Sequence, residues 1–228
     1  MAVKETSYDA RLEAEGLEAL GSAGALTPRV LEVTPTRLVM EWIDGAPRWS
    51  QLGRSLAIAH RSTNDRFGWH RDNVIGPLRQ HNGWHQSWGT FFAERRVRAH
   101  LDDPAVPRGI VERLQRASDG PLQELLERHD PEPSLVHGDL WSGNIVAGHS
   151  FIDPAVSFAD REIDLAFLAF FGGAADVFVD AYQAEFPLPL GWEERRPALQ
   201  LHHALVHVRL FGGSYVARVE AILSALGW

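Results

Sequence analysis

Two short apolar stretches, Ser134-Leu135-Val136 and Ser150-Phe151-Ile152, enclose a polar loop that runs His137-Gly138-Asp139-Leu140-Trp141-Ser142-Gly143-Asn144. Each stretch has the length and composition of a buried strand. Asp153 follows the second stretch directly and precedes Pro154, which marks a turn. Paired strands would bring the loops that flank them to one place, although those loops are separated in sequence. Asp139, Asn144 and Asp153 are therefore expected to converge. Each residue alone is explained as well by a turn or cap. The three together, in this order and spacing, point to chemistry.

Two carboxylates and an amide offer hard oxygen ligands, the kind that magnesium prefers. Asp139 stands where a carboxylate could orient an attacking hydroxyl and accept its proton. Asn144 and Asp153 could hold a metal that neutralises phosphate oxygens. This is the pattern of a phosphotransferase catalytic loop followed by a metal-binding aspartate. His137 is expected to brace the loop through a hydrogen bond, without a chemical role. Upstream, Lys4 and Glu13 fit an ion pair that orients a lysine on the phosphates of ATP. Glu15 lies about 200° round the same helix from Glu13 and is expected to face solvent. Leu38 to Ile43 is a buried strand running into a hinge, where backbone groups of Met40, Glu41, Trp42 and Ile43 could pair with adenine.

The rest of the chain predicts an α+β fold. Strands are expected at Ala2 to Lys4, Val30 to Val33 and Arg37 to Ile43, with a helix over Ala10 to Leu20. Helices follow at Gln51 to Arg61, Gln86 to Leu101, around Ile110 to Leu114, and at Leu122 to Leu126. The tail returns to helices at Glu162 to Phe171, Ala175 to Phe186 and Glu193 to Leu226, interrupted at Pro197 and at Gly212-Gly213. Asn64 to Asn82 is expected to be a long loop. The division is a partial small lobe, residues 1–44, and a larger helical lobe, residues 45–228. With 45% hydrophobic and 23% charged residues, the chain can bury a substantial core.

Several functions are excluded or disfavoured. The chain has no cysteine, which removes thiolate catalysis and cysteine metal sites. A formal charge of −8 argues against a broad nucleic-acid or lipid-headgroup surface. Arg95, Arg96 and Arg98 form a short basic run, expected to be a solvated helix face. No apolar run reaches the ~20 residues of a membrane span, and the N-terminus lacks signal-peptide layout, so a cytoplasmic location is expected. His203 and His207, four apart on a helix, lack a third ligand and are expected to pack structurally. There is no Gly-x-Ser-x-Gly elbow of a serine hydrolase.

The loop with Trp141 inside His-Gly-Asp-Leu-Trp-Ser-Gly-Asn is similar to that of the fructosamine kinase (ketosamine-3-kinase) family, a branch of the aminoglycoside-phosphotransferase and choline-kinase group. Further matches are Phe67-Gly68-Trp69, Asn73-Val74-Ile75-Gly76, Asn82-Gly83-Trp84, Asp153-Pro154-Ala155-Val156, Arg161-Glu162-Ile163-Asp164 and Phe171-Gly172-Gly173. The resemblance covers nearly the whole chain. It implies a protein-kinase-like two-lobe fold and phosphorylation, by magnesium and ATP, of the 3-hydroxyl of free or protein-bound ketosamines, leading to deglycation. It also implies Asp139 as base, Asn144 and Asp153 as metal ligands, and Trp141 as a wall of the sugar pocket. The family has about two strands and a glycine-rich turn before the lysine strand, whereas this sequence begins almost at Lys4. A trimmed small sheet is thus expected, and either the protein starts further upstream or it is a catalytically weak or binding-only relative; a kinase for another small alcohol is a separate alternative. Nothing in the sequence fixes the oligomeric state.

Overall fold

Strand β1 (Ala2–Glu5) alternates, with Val3 and Glu5 exposed and Ala2 and Lys4 half-buried, so Lys4 points off the solvent face. It pairs antiparallel with β3 (Arg37–Met40), which also pairs with β2 (Val30–Val33), giving a sheet in the order β1-β3-β2. The computed structural model describes every residue, Met1 to Trp228. Helix α1 (Arg11–Ser22) lays Ala14 and Leu17 against Leu38 and Met40 of the middle strand, closing a small core of its own. Glu13 is buried on this helix.

The later chain is mainly helical. Helix α2 (Trp49–His60) packs along α7 (Asp176–Glu185), while α8 (Trp192–Phe211) packs on α9 (Ser214–Leu226). Between them runs α6 (Glu162–Phe170), apolar on nearly every side. Its Ile163, Ala166, Phe167 and Phe170 join one core, and its Leu165 and Leu168 join a second. Such an element is held on all sides, which makes its first turn a rigid anchor for anything bonded to it. Helices α4 (Arg108–Ser118) and α5 (Pro121–Glu127) complete the larger core. No helix is long and apolar enough to cross a membrane.

Four expectations need correction. Residues 64–82 are not all loop, because Asn73–Ile75 (β4) and Leu78–Gln80 (β5) form a hairpin. Pro197 does not interrupt its helix. It sits in the second turn of α8, where its missing N–H removes a single helical bond. The helix expected over Gln86 to Leu101 starts at Trp88–Phe91 (α3), then winds wider through Phe92–Val97 and tighter through Arg98–His100. The widened turn shifts the helix face, and Arg96 is buried at 2% exposure instead of solvated. Finally, Ser134–Val136 (β6) and Ser150–Phe151 (β8) do not pair with each other. β6 pairs with Ser157–Ala159 (β9), a strand the sequence reading missed, and β8 pairs with Ile145–Val146 (β7).

Candidate active site

The loops converge although their strands lie in different ladders. The Ala155 N–H donates to the His137 carbonyl at 2.8 Å, tying the start of one loop to the end of the other. His137 Nε2–H donates to the Ile152 carbonyl at 2.9 Å, which leaves Nδ1 to accept the Asp139 N–H at 3.2 Å. Burial holds the imidazole pKa below its ordinary value, so the ring stays neutral and keeps this tautomer. Gly138 between them has φ +80°, and a Cβ there would lie 2.2 Å from the Ala155 carbonyl oxygen. Only glycine fits this close, left-handed turn.

The rigid first turn of α6 supplies the anchor. Asp164, fully buried, accepts from the His137 N–H at 2.7 Å and the Gly138 N–H at 2.8 Å. Its Oδ2 lies 3.1 Å from His60 Nε2, and His60 Nδ1 lies 2.8 Å from the Tyr182 hydroxyl. Burial alone would push the Asp164 carboxyl up, but hydrogen bonds and the field of His60 and the loop hold it below the usual range. From α8, His203 Nε2–H donates to the Gly138 carbonyl at 2.8 Å while its ring stacks on Phe167 at 3.7 Å. His203 therefore braces the loop from His137 to Asn144. His207 turns its Nδ1 to the His203 carbonyl at 2.7 Å.

On the small-sheet side, Lys4 Nζ lies 2.7 Å from Glu13 Oε2 and 2.8 Å from Asp153 Oδ1. Tyr8, absent from the sequence reading, donates its hydroxyl to the same Glu13 oxygen at 2.6 Å. Burial alone would lower the Lys4 pKa, yet the two carboxylates hold it above its ordinary value and the ammonium stays charged. Asp153 has φ +56°, a left-handed conformation that Asp tolerates better than most residues. Gly16 lets α1 come this close, since a Cβ there would stand 2.9 Å from Pro154 Cγ. Glu15 does not simply face water: Trp69 Nε1–H donates to it at 2.8 Å.

Asn144 donates its Nδ2 to the Asp139 carbonyl at 2.8 Å and to Asp139 Oδ2 at 3.1 Å, which leaves its amide oxygen free. Lys4, Tyr8, Glu13, Val74, Asp139 and Asp153 line one pocket. Loss of hydration pushes the Asp139 carboxyl up to about 7, despite the hydrogen bond from Asn144. Met40 is buried, while Glu41 and Trp42 are exposed where the chain leaves β3. Trp141, within the loop, is 37% exposed and packs 5.6 Å from Phe171, whose ring lies 5.2 Å from His207.

A family model described as fructosamine kinase matches residues 3–226. A probable ketoamine kinase of Enterococcus faecium is 37% identical, the match covering 97% of this chain and 83% of that one. The probable ketoamine kinase YniA of Escherichia coli K12 is also 37% identical, over 94% of this chain and 79% of its own. A crystal structure from Thermobifida fusca, described as a fructosamine-3-kinase, superposes with a TM-score of 0.89 at 37% identity, covering 98% of this chain and 84% of that one. An aminoglycoside phosphotransferase at 17% identity and TM-score 0.60 shares the fold. The α+β, protein-kinase-like architecture expected from the sequence is the one found.

Proposed function

Since the chain belongs to the fructosamine kinase family, we propose that it transfers the γ-phosphoryl group of ATP to the 3-hydroxyl of a ketosamine. The observation that carries this reading is the meeting of Lys4, Glu13 and Asp153 at 2.7 and 2.8 Å in the pocket that Asp139 also lines. Asp139 accepts the proton of the substrate hydroxyl, whose oxygen forms a new bond to phosphorus as the bond to the ADP oxygen breaks. Lys4, held by Glu13, meets the phosphate oxygens. The backbone from Met40 through Glu41 and Trp42 to Ile43 faces the adenine. Trp141 presents a ring face to the C–H side of the sugar.

The donor set fits magnesium. Asp153 offers carboxylate oxygens and Asn144 an amide oxygen with no protein partner, all of them hard ligands. When bound, the ion neutralises charge on the phosphates during transfer. The phosphorylated adduct is unstable, so the outcome is deglycation of the amine that carried the sugar, and we place this activity in the cytoplasm.

The test is phosphoryl transfer from Mg·ATP to a synthetic fructosamine, with Asp139→Asn alongside. Transfer by the parent that is absent in the variant supports the assignment. Unimpaired transfer by Asp139→Asn removes Asp139 as base, and no transfer by either protein favours a binding-only relative.

A further inference from the structure

The β4–β5 hairpin divides two pockets. Its Val74 borders the one with Asp139 and Asp153, whereas its Ile75 and Gln80 border another on the far side. That second cavity, about 120 Å³, is lined by Arg79, Arg95, Arg209, His81, His100 and His202 among others.

Its charge is unbalanced. Arg79 and His81 share one carboxylate, Asp72, at 2.8 and 3.0 Å, and Arg209 lies 2.8 Å from Asp103. Arg95 makes no ion pair; its Nε donates to His85 Nε2 at 3.3 Å. Behind the wall, buried Arg96 donates only to neutral groups, including the His81 carbonyl at 2.8 Å and Asn82 Oδ1 at 2.7 Å. Four guanidinium groups therefore face two carboxylates. A buried cation without a counter-ion is costly unless something supplies negative charge.

A second observation points to a ligand. His202 is 2% exposed and lines the cavity, and its Nε2 has no partner in the chain. Arg209 Nη1–H donates to His100 Nδ1 at 3.2 Å, so His100 Nε2–H donates to His202 Nδ1 at 3.2 Å, which leaves His202 Nε2–H as a donor without an acceptor. A buried ring nitrogen is ordinarily bonded.

We propose that this pocket is a second anion site, which takes a phosphate-type oxyanion between Arg79, Arg95 and Arg209 beside His202. Guanidinium forks match phosphate oxygens in pairs, which favours this class over a halide. The site touches the machinery of the cleft without belonging to it. Gln80 donates to the Ala155 carbonyl at 3.0 Å, and His203, next to His202, holds the Gly138 carbonyl. An anion here ties the hairpin to α8 and steadies both loops.

The test is calorimetric titration of the full chain with inorganic phosphate at constant ionic strength, comparing the parent with Arg95→Gln, Arg79→Gln and Lys4→Met. The parent and Lys4→Met should bind saturably, and each arginine variant should bind about tenfold or more weakly. Melting temperatures establish that the variants are folded. A sugar phosphate monoester run in parallel distinguishes the free ion from a carried phosphoryl group; Arg95-dependent binding of either supports the site. No saturable binding to the parent overturns the proposal. So does binding that survives in both arginine variants but disappears in Lys4→Met, which would place the phosphate in the nucleotide cleft.

Discussion

Replacing Asp164 by Asn tests whether the loop from His137 to Asn144 is positioned from α6. The carboxylate accepts from two backbone N–H groups at 2.7 and 2.8 Å and faces His60 at 3.1 Å, with no solvent to take over. An amide keeps the shape but has one acceptor oxygen, so its NH₂ must point at a buried donor. Hydrogen bonds to a charged group are worth about 1.5–3 kcal/mol each, and a stranded buried donor costs roughly 1–3 kcal/mol. The expected loss is about 3 kcal/mol, or roughly 6–12 °C in melting temperature for a chain of this size. The sign with pH is fixed as well. The Asp164 pKa is depressed in the folded protein, so its stabilisation is complete above the ordinary value of about 3.9 and is lost as pH falls through the folded value. The gap between parent and variant should therefore narrow in acid. Scanning calorimetry across pH, paired with the transfer assay, reads both effects, and kcat should fall more than the KM for ATP rises. A variant that melts within a degree or two of the parent and turns over normally would refute the anchoring argument.

Two further outcomes follow from the site. A base must be deprotonated to act, so kcat/KM should fall as pH drops through the Asp139 pKa, pushed up to about 7, and a pH–rate profile with a flat limb across neutrality would contradict the role. Lys4→Met should raise the KM for ATP by about tenfold or more while leaving ketosamine affinity nearly unchanged, which initial-rate kinetics with each substrate varied in turn would separate.

The residues legible in the sequence were those whose chemistry fixes their type. Phosphoryl transfer demands a carboxylate base, hard metal ligands and a cation for the phosphates, and few residues serve. The loop from His137 to Asn144, Asp153, Lys4 and Glu13 could therefore be named as candidates, and the structure brings Lys4, Glu13, Asp139 and Asp153 to one pocket. The residues that hold them were less legible. Asp164 was visible only within a family match, and His203 looked like ordinary core packing, because each works on backbone groups that many side chains could hold. Tyr8 carried no signal at all. Strand pairing failed for a related reason: β9 is only three residues long, and its partner choice is set by Gly68 and β6 at a distance in sequence. Arg96 was misplaced because one widened helical turn moves every later residue to another face.

The cleft also depends on a contact that involves no catalytic atom. Helix α1 carries Glu13 and reaches the Asp153-Pro154 turn across Gly16, where a Cβ would meet Pro154 Cγ at 2.9 Å and both Val156 methyl carbons at 3.4 Å. Gly16→Ala gains about 1 kcal/mol of helix propensity, set against roughly 1–3 kcal/mol for overpacking. The balance lies between no change and a loss of about 2 kcal/mol. Function should not be spared, because relief of the clash moves α1 and takes Glu13 away from Lys4, whose ammonium is held between that carboxylate and Asp153. The expected signature is a melting temperature lowered by no more than about 8 °C with a clearly raised KM for ATP. Unchanged kinetics at unchanged stability would mean that Pro154 and Val156 yield instead of the helix, and that the spacing of α1 from the turn does not set the position of the lysine.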